Sequence, residues 1–490
     1  MTSDETKQTG EQDPKNQDAR SAGQIGEQEL NFAAFVGIDW GDKEHAWSME
    51  IPGNRKRLTG KLKHTPEAIA AWAVDLAVRF EGRPVAVALE QARGALVYAL
   101  SAYGHLVLYP IHPTTSSRYR EAIFPSGSKD DPKDAGAALD LLVRHRDRLR
   151  RYQPDTPQTR KLQVLVQKRR QLVDERTAQT NRITDLLKLY FPQVLDWFDE
   201  IGSPLVEAFL ERWPTLEQVQ KEAPAELREF FQRHQCRSPQ RIQERLDAIR
   251  EARPLIRDIA VIDPSALVVA ALLPVVAALR KGIAALDHAI EETAATHPDL
   301  AIFASFPGAG PVMAPRLVAA FGSLRERFAS ANEIQAFSGI APVVSRSGET
   351  QRWIHFRWAC AKFLRQTFHE YAALSIPHCA WGREFYQRQR AKGKGHHAAV
   401  RSLAYKWIRI LFRCWRNRTP YQEDIYLRAV AQRCAPPDPK KVSKPRPNPP
   451  AAAPSQSTAG PCLGFLACGG TVDLQWKKVG GFWKISDPRA

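Results

Sequence analysis

The 490-residue sequence predicts an α/β domain followed by an all-α remainder, and three observations predict it. Up to about residue 150, short continuous apolar runs alternate with amphipathic stretches, the pattern of buried strands and covering helices. From Pro157 to Tyr190 apolar residues recur at helical spacing with Arg and Lys opposite. Beyond residue 301 the chain stays helical in pattern and becomes strongly basic.

Residues 1–30 are rich in Gln, Asp, Lys and Gly with almost nothing to bury, so they are expected to be a disordered polar tail. The 31–150 domain opens on the apolar run of NFAAFVGIDW, a strand buried on both faces. HAWSMEI and KRLTGKLKH supply two more strands. TPEAIAAWAVDLAVRF is an amphipathic helix, PVAVALE a buried strand, GALVYALSAYG a helix and HLVLYPI a strand. GSKDDPKDAGAALDLL then gives a helix running to about Arg146. Asp131 before Pro132 has the form of an N-cap followed by proline at the first helical position, and Asp134 falls in the first turn, where the helix dipole favours negative charge. The predicted order β-β-β-α-β-α-β-α describes a mixed sheet.

The 151–300 region is expected to hold two long helices. The first places Leu162, Leu165, Val166, Leu172, Val173, Ile183, Leu186, Leu187 and Tyr190 on one stripe, as in a coiled coil. Short helices around FPQVLDWF and LVEAFLERWP follow, and VVAALLPVVAALRKGIAALDHAIEETAATH is long and apolar enough to pack back on the first. Residues 301–432 form a helical C-terminal domain. Residues 433–490 begin RCAPPDPKKVSKPRPNPP, a proline-rich segment expected to remain disordered because it cannot build a packed core.

Composition narrows the function. The formal net charge is +17, which makes an extended polyanion the first partner to consider. Between Arg346 and Arg428 there are 17 Lys and Arg against 5 Asp and Glu, so most of the excess charge sits in one region. The seven cysteines are scattered without a CxxC pair, which argues against a zinc site or a disulfide framework. No apolar run is expected to reach the roughly 18 residues of a membrane span. The polar N-terminus lacks a signal-peptide core, so a reducing cytoplasm is the simplest compartment.

Two carboxylates stand where buried strands emerge: Asp39 in GIDWG and Glu90 in ALEQ. Taken singly, an Asp after a strand is ordinarily a turn residue and a Glu at a strand end is ordinarily solvated. Together with acids on a later helix they reproduce the order strand one, strand four, helix of the ribonuclease H fold. Carboxylates so placed offer oxygen ligands to magnesium, and two ions roughly 3.5–4 Å apart clamp the attacking and leaving oxygens of a phosphodiester. Asp131 and Asp134 are three apart and share a helix face.

SFPGAGPVMAPRLVAAFG, residues 305–322, has the form of a helix-hairpin-helix turn whose glycines, Gly308 and Gly310, let backbone approach a phosphate. Pro315 inside its second helix is expected to shorten or kink that helix. FSGIAPVVSRSGET is expected to be a Gly/Ser/Pro loop. Its serines are turn or cap residues by default, and with Arg346, Arg352 and Arg357 nearby one of them is a candidate nucleophile in a phosphate site. In SLAYKWIRILFRCW the tryptophans follow core periodicity. Lys406, Arg409, Arg413 and Arg416 between them are the candidates for phosphate contacts.

With these motifs in this order, residues 33–430 resemble the insertion-sequence transposases of the IS-one-ten type, which are guided by a bridge RNA. GIDWG, ALEQ and KDDPKDA are similar to the family's Asp-Glu-Asp-Asp set in a RuvC-like domain, which selects Asp39, Glu90, Asp131 and Asp134 and leaves Asp130 out. FPGAGP and GIAPVVSRSG look like the two hallmarks of its C-terminal transposase domain. Counting from Pro342, the second selects Ser347, with Ser345 as the rival. The resemblance implies a bacterial, nucleoid-associated recombinase in which Ser347 forms a phosphoserine link to DNA. It also implies two Mg2+ ions on the four acids, double-stranded DNA at the element ends and target, and a structured non-coding guide RNA. The site is implied to be shared between protomers, so the chain is expected to be at least a dimer, with a tetramer as the larger assembly. Two other readings compete: a metal-dependent RuvC-like junction or hybrid nuclease with a structural serine, and a non-catalytic nucleic-acid-binding protein.

Overall fold

The computed structural model describes residues 31–434, apart from 55, 91–93, 124–130, 235, 237 and 348–350, together with 475–479 and 482–486. The expected N-terminal tail lies outside the described residues. The chain divides into two compact units, one of residues 1–164 and 322–329, the other of 165–321 and 330–490.

In the first unit the strands are β1 (Ala34–Asp39), β2 (Glu44–Glu50), β3 (Leu58–Lys63), β4 (Val85–Leu89) and β5 (Leu106–Pro110). They form one sheet in the order β3-β2-β1-β4-β5. The β1–β2 and β2–β3 pairs are antiparallel, whereas β1–β4 and β4–β5 are parallel. This is the mixed sheet that the sequence predicts. Its helices are α1 (Pro66–Arg79), α2 (Ala95–Leu100), α3 (Pro113–Ile123) and α4 (Asp131–His145).

Side-chain size along β4 decides which helix covers which face. Val85, Val87 and Leu89 pack with Ile69 and Leu76 of α1 and Val97 of α2. The alternate residues Ala86 and Ala88 face Ala138, Leu141 and Leu142 of α4. Small residues there let α4 come close, and at Gly37 of β1 the approach becomes backbone to backbone. A Cβ on Gly37 would lie 2.2 Å from the Ala135 carbonyl oxygen and 2.4 Å from the Leu139 nitrogen. Glycine at 37 therefore seats α4 directly on β1.

Helix α3 is absent from the predicted order. None of its residues is buried, so it carries no apolar periodicity to detect. Asp140, to which the sequence assigns no role, is a buried tie between α4 and the segment leading into β3. Its Oδ1 accepts from Arg57 Nη2 at 2.6 Å.

The segment 322–329 belongs to this unit although its neighbours in sequence do not. Its anchor is the buried carboxylate of Asp155. Oδ1 accepts from the Ser323 backbone N–H at 2.8 Å and its hydroxyl at 3.1 Å. Oδ2 accepts from Gln163 Nε2 at 2.8 Å and Arg327 Nη1 at 3.0 Å. Such multiply donated carboxylates are strongly held in a low-dielectric setting.

In the second unit, α5 (Pro157–Tyr190, the unit boundary falling within it) is followed by five short helices. These are α6 (Gln193–Trp197), α7 (Pro204–Arg212), α8 (Leu216–Gln220), α9 (Pro224–Arg233) and α10 (Pro239–Glu251), and they lead to α11 (Ile259–Ala295). The partner of α5 is α11 of the same chain. Arg169 bonds both oxygens of Asp287, Leu172 abuts Gly282, and Ile183 shares a core with Val269 and Val276. Numbers rising on one helix fall on the other, so the pair is antiparallel. Phe191, Phe209 and Phe231 fill the lobe beside it, each worth about 1.5–3 kcal/mol of burial.

Contrary to the expectation from the sequence, α11 does have the length and hydropathy of a membrane span over an 18-residue window. Of that window, 28% is buried within the protein. Val269, Leu273, Val276 and Ile283 are buried against protein, and Arg280 of the same helix bonds Glu207.

The rest of the unit comprises α12 (Leu300–Ala304), α13 (Met313–Phe321), α14 (Ala331–Phe337), β6 (Val343–Ser347), β7 (Gln351–His355), α15 (Lys362–His378), α16 (Ala380–Ala391), α17 (His396–Asn417) and α18 (Glu423–Cys434). The expected Gly/Ser/Pro loop is thus in large part an antiparallel hairpin, β6 with β7. Pro315 does not break its helix: α13 starts at Met313, so the proline sits in the first turn, where no intrahelical N–H bond is required. The C-terminal segment predicted to lack order contains a second hairpin, β8 (Gln475–Val479) with β9 (Phe482–Ser486).

Candidate active site

Two separate constructions carry the candidate residues. The first is at the carboxyl ends of β1 and β4. These strands run parallel with Ile38 beside Leu89; Asp39 ends β1 and Glu90 directly follows β4, both half-buried. Gly37 seats α4 on β1 through Ala135, which sets the first turn of α4, with Asp131 and Asp134, toward that same end. Asp131 opens the helix; its side chain, like all of Asp130, lies outside the described residues. Asp134 is buried.

Sequence reasoning misses Arg120, which pairs with Asp134. Its Nη1 donates to both oxygens of Asp134, at 2.8 and 2.9 Å. That bond, then the charge of Asp134, and at longer range the charge of Glu90, hold the guanidinium above its ordinary range. Arg120 therefore feels acids from the helix and from a strand end together. The readable signal is Pro113 directly after His112, a proline at a first helical position, with Thr114 N–H capped by His112 Nδ1 at 3.2 Å.

Among the described residues no three carboxylate, imidazole or thiolate groups converge closely enough to hold a metal ion. Chemically the donors suit one. All are hard oxygens, and Asp134 is a buried carboxylate whose charge is balanced by the Arg120 guanidinium. A divalent cation would compete with Arg120 for the same oxygens. Replacing Arg120 with Gln should therefore tighten divalent-ion binding by roughly tenfold, because a charge-assisted bond no longer opposes it. Titration with terbium, followed by luminescence, measures this directly. Unchanged affinity would mean that Asp134 takes no part in holding the ion.

The turn after Asp39 is also fixed from within. A Cβ on Gly41 would lie 2.1 Å from the Glu44 carbonyl oxygen, so only glycine fits. Gly41 N–H donates to Nδ1 of the buried His45 at 3.2 Å. With Nδ1 accepting, the His45 proton is on Nε2, which donates to His64 Nδ1 at 2.9 Å. Burial, and then His64, push the His45 imidazole below its ordinary range, keeping it neutral and able to accept. The sequence shows only a histidine in a strand, which carries no such signal.

The second construction is the β6–β7 hairpin. Ser347 ends β6 opposite Gln351, and Arg346 stands opposite Arg352; the side chains of all four lie outside the described residues. Ser345 shares the strand face of Ser347 and has a partner that the sequence does not suggest. Its Oγ is 2.9 Å from His355 Nε2, within proton-transfer reach. The two glycines of the preceding turn divide in role. Gly308 has φ +77°, and a Cβ there would lie 2.7 Å from the Leu374 carbonyl oxygen, so α15 already accounts for it. At Gly310 nothing stands within 4 Å of an added Cβ, which leaves space on that side.

On α17 the periodicity separates core from surface as the sequence predicts. Trp407 and Trp415 are buried, while Arg409, Arg413 and Arg416 are exposed. Lys406 is half-buried over the Phe385 ring, and burial, followed by Arg388 and Arg409, holds its amine below the usual range. Trp353 and Trp358 are not core: they are 37% and 81% exposed. Arg357 directs its carbonyl to Arg365.

Strand order, the acidic sheet end and the basic helical region define a nucleic-acid-processing class, and comparison with known proteins specifies it. A family model described as Transposase, the DEDD model of IS110, matches residues 36–192. A second, described as Transposase IS116/IS110/IS902 family, matches residues 300–387. The chain is 27% identical over 417 residues to the "Mini-circle putative transposase for IS117" of Streptomyces coelicolor, covering 83% of this chain and 100% of that protein. It is 27% identical over 395 residues to the "Insertion element IS110 uncharacterized 43.6 kDa protein" of the same organism, covering 80% and 96%. With the "Insertion element IS900 uncharacterized 42 kDa protein" of Mycobacterium paratuberculosis it shares 25% identity over 391 residues, covering 79% and 96%. The chain belongs to the IS110/IS116/IS902 family of transposases. Its substrate is accordingly DNA, and the five-stranded mixed sheet is consistent with a RuvC-like nuclease domain.

Proposed function

We propose that this transposase excises and inserts its element by RNA-guided, metal-dependent strand exchange with Ser347 as the nucleophile. One observation carries the metal-dependent part. Asp39 and Glu90 stand side by side at the ends of parallel strands, under a helix whose first turn brings Asp131 and Asp134. Those four residues would hold Mg2+, two ions in the full site, and the ions would supply positive charge to the phosphoryl oxygens.

The serine step is a substitution at phosphorus. The Ser347 Oγ–P bond forms as one P–O ester bond of the DNA breaks. The serine proton passes to a nearby base or solvent, and the departing DNA oxygen gains a proton. Energy of the ester is conserved in the phosphoserine link, so a later DNA hydroxyl can reverse the step. Arg346 and Arg352 within the hairpin strands and Arg357 just beyond them give this segment positive charge suited to a phosphate. Lys406, Arg409, Arg413 and Arg416 give α17 a cationic outer face for backbone contacts. The acids act on the strand held by Ser347 of another protomer, which requires at least a dimer and permits a tetramer. Exposed Leu267, Val268 and Val275 along α11 support such self-association. A structured non-coding RNA chooses the donor and target by pairing, in a bacterial, nucleoid-associated setting.

Strand exchange between a donor carrying the element ends and a target tests this reading. It is run with RNA transcribed from the non-coding sequence that flanks the coding region. Exchange is expected only when protein, both DNAs, RNA and Mg2+ are present together. Exchange at full rate without RNA would remove the guidance, and simple cleavage without a covalent protein–DNA species would favour a junction nuclease.

A further inference from the structure

Immediately beyond β7 the chain gathers cations around an aromatic ring. The Arg401 guanidinium carbon is 3.9 Å from the Phe356 ring centroid and that of Arg365 is 4.5 Å from it. Each stack is a favourable cation–π contact, yet both bring like charges together. Among the described residues no carboxylate pairs with either one. Arg365 has a buried Nε without a partner, and one of its Nη atoms bonds the Arg357 carbonyl. Burial, and then the charge of Arg365, hold Arg401 below its ordinary range. Glu370, the acid on the same helix as Arg365, is already engaged by Arg170 and Arg316.

Two guanidiniums held on one ring repel each other, and an anion bound beside them would relieve that repulsion. The loop conformation adds to this. Gly339 has φ +71°, and a Cβ there would lie 2.8 Å from Arg365 Nη2, so the glycine of GIAP makes the room in which Arg365 sits. Beside the stack the Trp358 indole is 81% exposed, with its ring 5.7 Å from Phe356. A flat, solvated indole next to paired guanidiniums is a combination that binds a phosphate and stacks its base.

We propose that Arg365 and Arg401, stacked on Phe356, form with Trp358 an anchor for one phosphodiester and an adjacent base of the DNA strand engaged by the serine hairpin. This rests on the hairpin being the strand-joining element. DNA is the favoured nucleic acid because the anchor continues directly from β7. Five residues separate Gln351, opposite Ser347, from Phe356, a reach of about 17 Å in extended chain or about five nucleotides of duplex rise. The anchored phosphate therefore lies near the cut and not at a remote binding surface.

The test measures binding without chemistry. Full-length Ser347→Ala protein, alone and with added changes, is titrated with a fluorescent element-end DNA and a matched RNA over a range of salt. In the double variant Arg365→Gln/Arg401→Gln, the slope of log affinity against log salt is expected to fall by about one, because one phosphate is no longer neutralised. Trp358→Ala should weaken DNA binding about tenfold or more while the melting temperature stays unchanged. Since Trp358 is exposed, that variant decides the matter even if the double variant fails to fold. Unchanged DNA affinity in Trp358→Ala, or a loss confined to RNA, overturns the anchor. Neither result touches the strand-exchange assay, so the anchor can fail while the proposed function stands, and a failure of strand exchange is read separately from a failure of binding.

Discussion

Ser347→Ala should abolish the covalent protein–DNA species and lower strand exchange by roughly a thousandfold or more, the scale seen when a nucleophile is removed. Gel separation of denatured protein carrying labelled DNA reads the adduct directly. The structure sharpens the control. Ser345 lies on the same face of β6, two residues from Ser347, and its hydroxyl is paired with His355. Ser345→Ala should leave the adduct in place. If Ser345→Ala removes the adduct and Ser347→Ala does not, the nucleophile is Ser345, and His355 becomes its base. Retention of the adduct in both variants would remove serine chemistry from this hairpin.

The second large effect is expected at Asp134. Asp134→Asn keeps the shape of the side chain and its place beside Arg120 but removes the negative charge. Cleavage of element-end DNA in Mg2+ should fall by roughly 10²- to 10³-fold, the range for removal of one charge-stabilising group at a reacting phosphate. Because Arg120 is then without its counter-charge, a lowered melting temperature is expected. The two effects separate by measurement. A thermal melt reports the structural part, and cleavage assayed well below the melting temperature reports the chemical part. Parallel losses that vanish when stability is restored elsewhere would reduce Asp134 to a structural carboxylate.

Much of the first unit is legible in the sequence because its strands are uninterrupted apolar runs. VAVAL is buried along its whole length, and such a run has one reading when bounded by turns. The acids at Asp39 and Glu90 are legible for the same reason: each ends a strand that periodicity defines. Helix α3 is hidden because an exposed helix leaves no apolar stripe, and Arg120 is hidden with it. Asp140 and Arg57 are 83 residues apart, a distance over which no spacing rule operates. The hairpin β6–β7 is hidden because the stretch FSGIAPVVSRSGET that leads through its first strand is rich in Gly, Ser and Pro, and pairing between strands is itself non-local. The α17 tryptophans fall in the core, as their helical period requires. Trp358, outside any period, can be assigned only from its exposure.

The carboxylate of Asp155 has a consequence for how this protein can be divided. Its donors come from residues 323 and 327, far downstream of the domain they help to close. The nuclease-like unit is therefore not an autonomous stretch of gene. A polypeptide ending near residue 164 would retain the whole five-stranded sheet and all four acids, yet bury an anion stripped of Ser323 and Arg327. Recombination between family members at that apparent boundary would exchange one half of a lock without its key. Selection must keep the two distant segments matched, so the units are inherited as a pair.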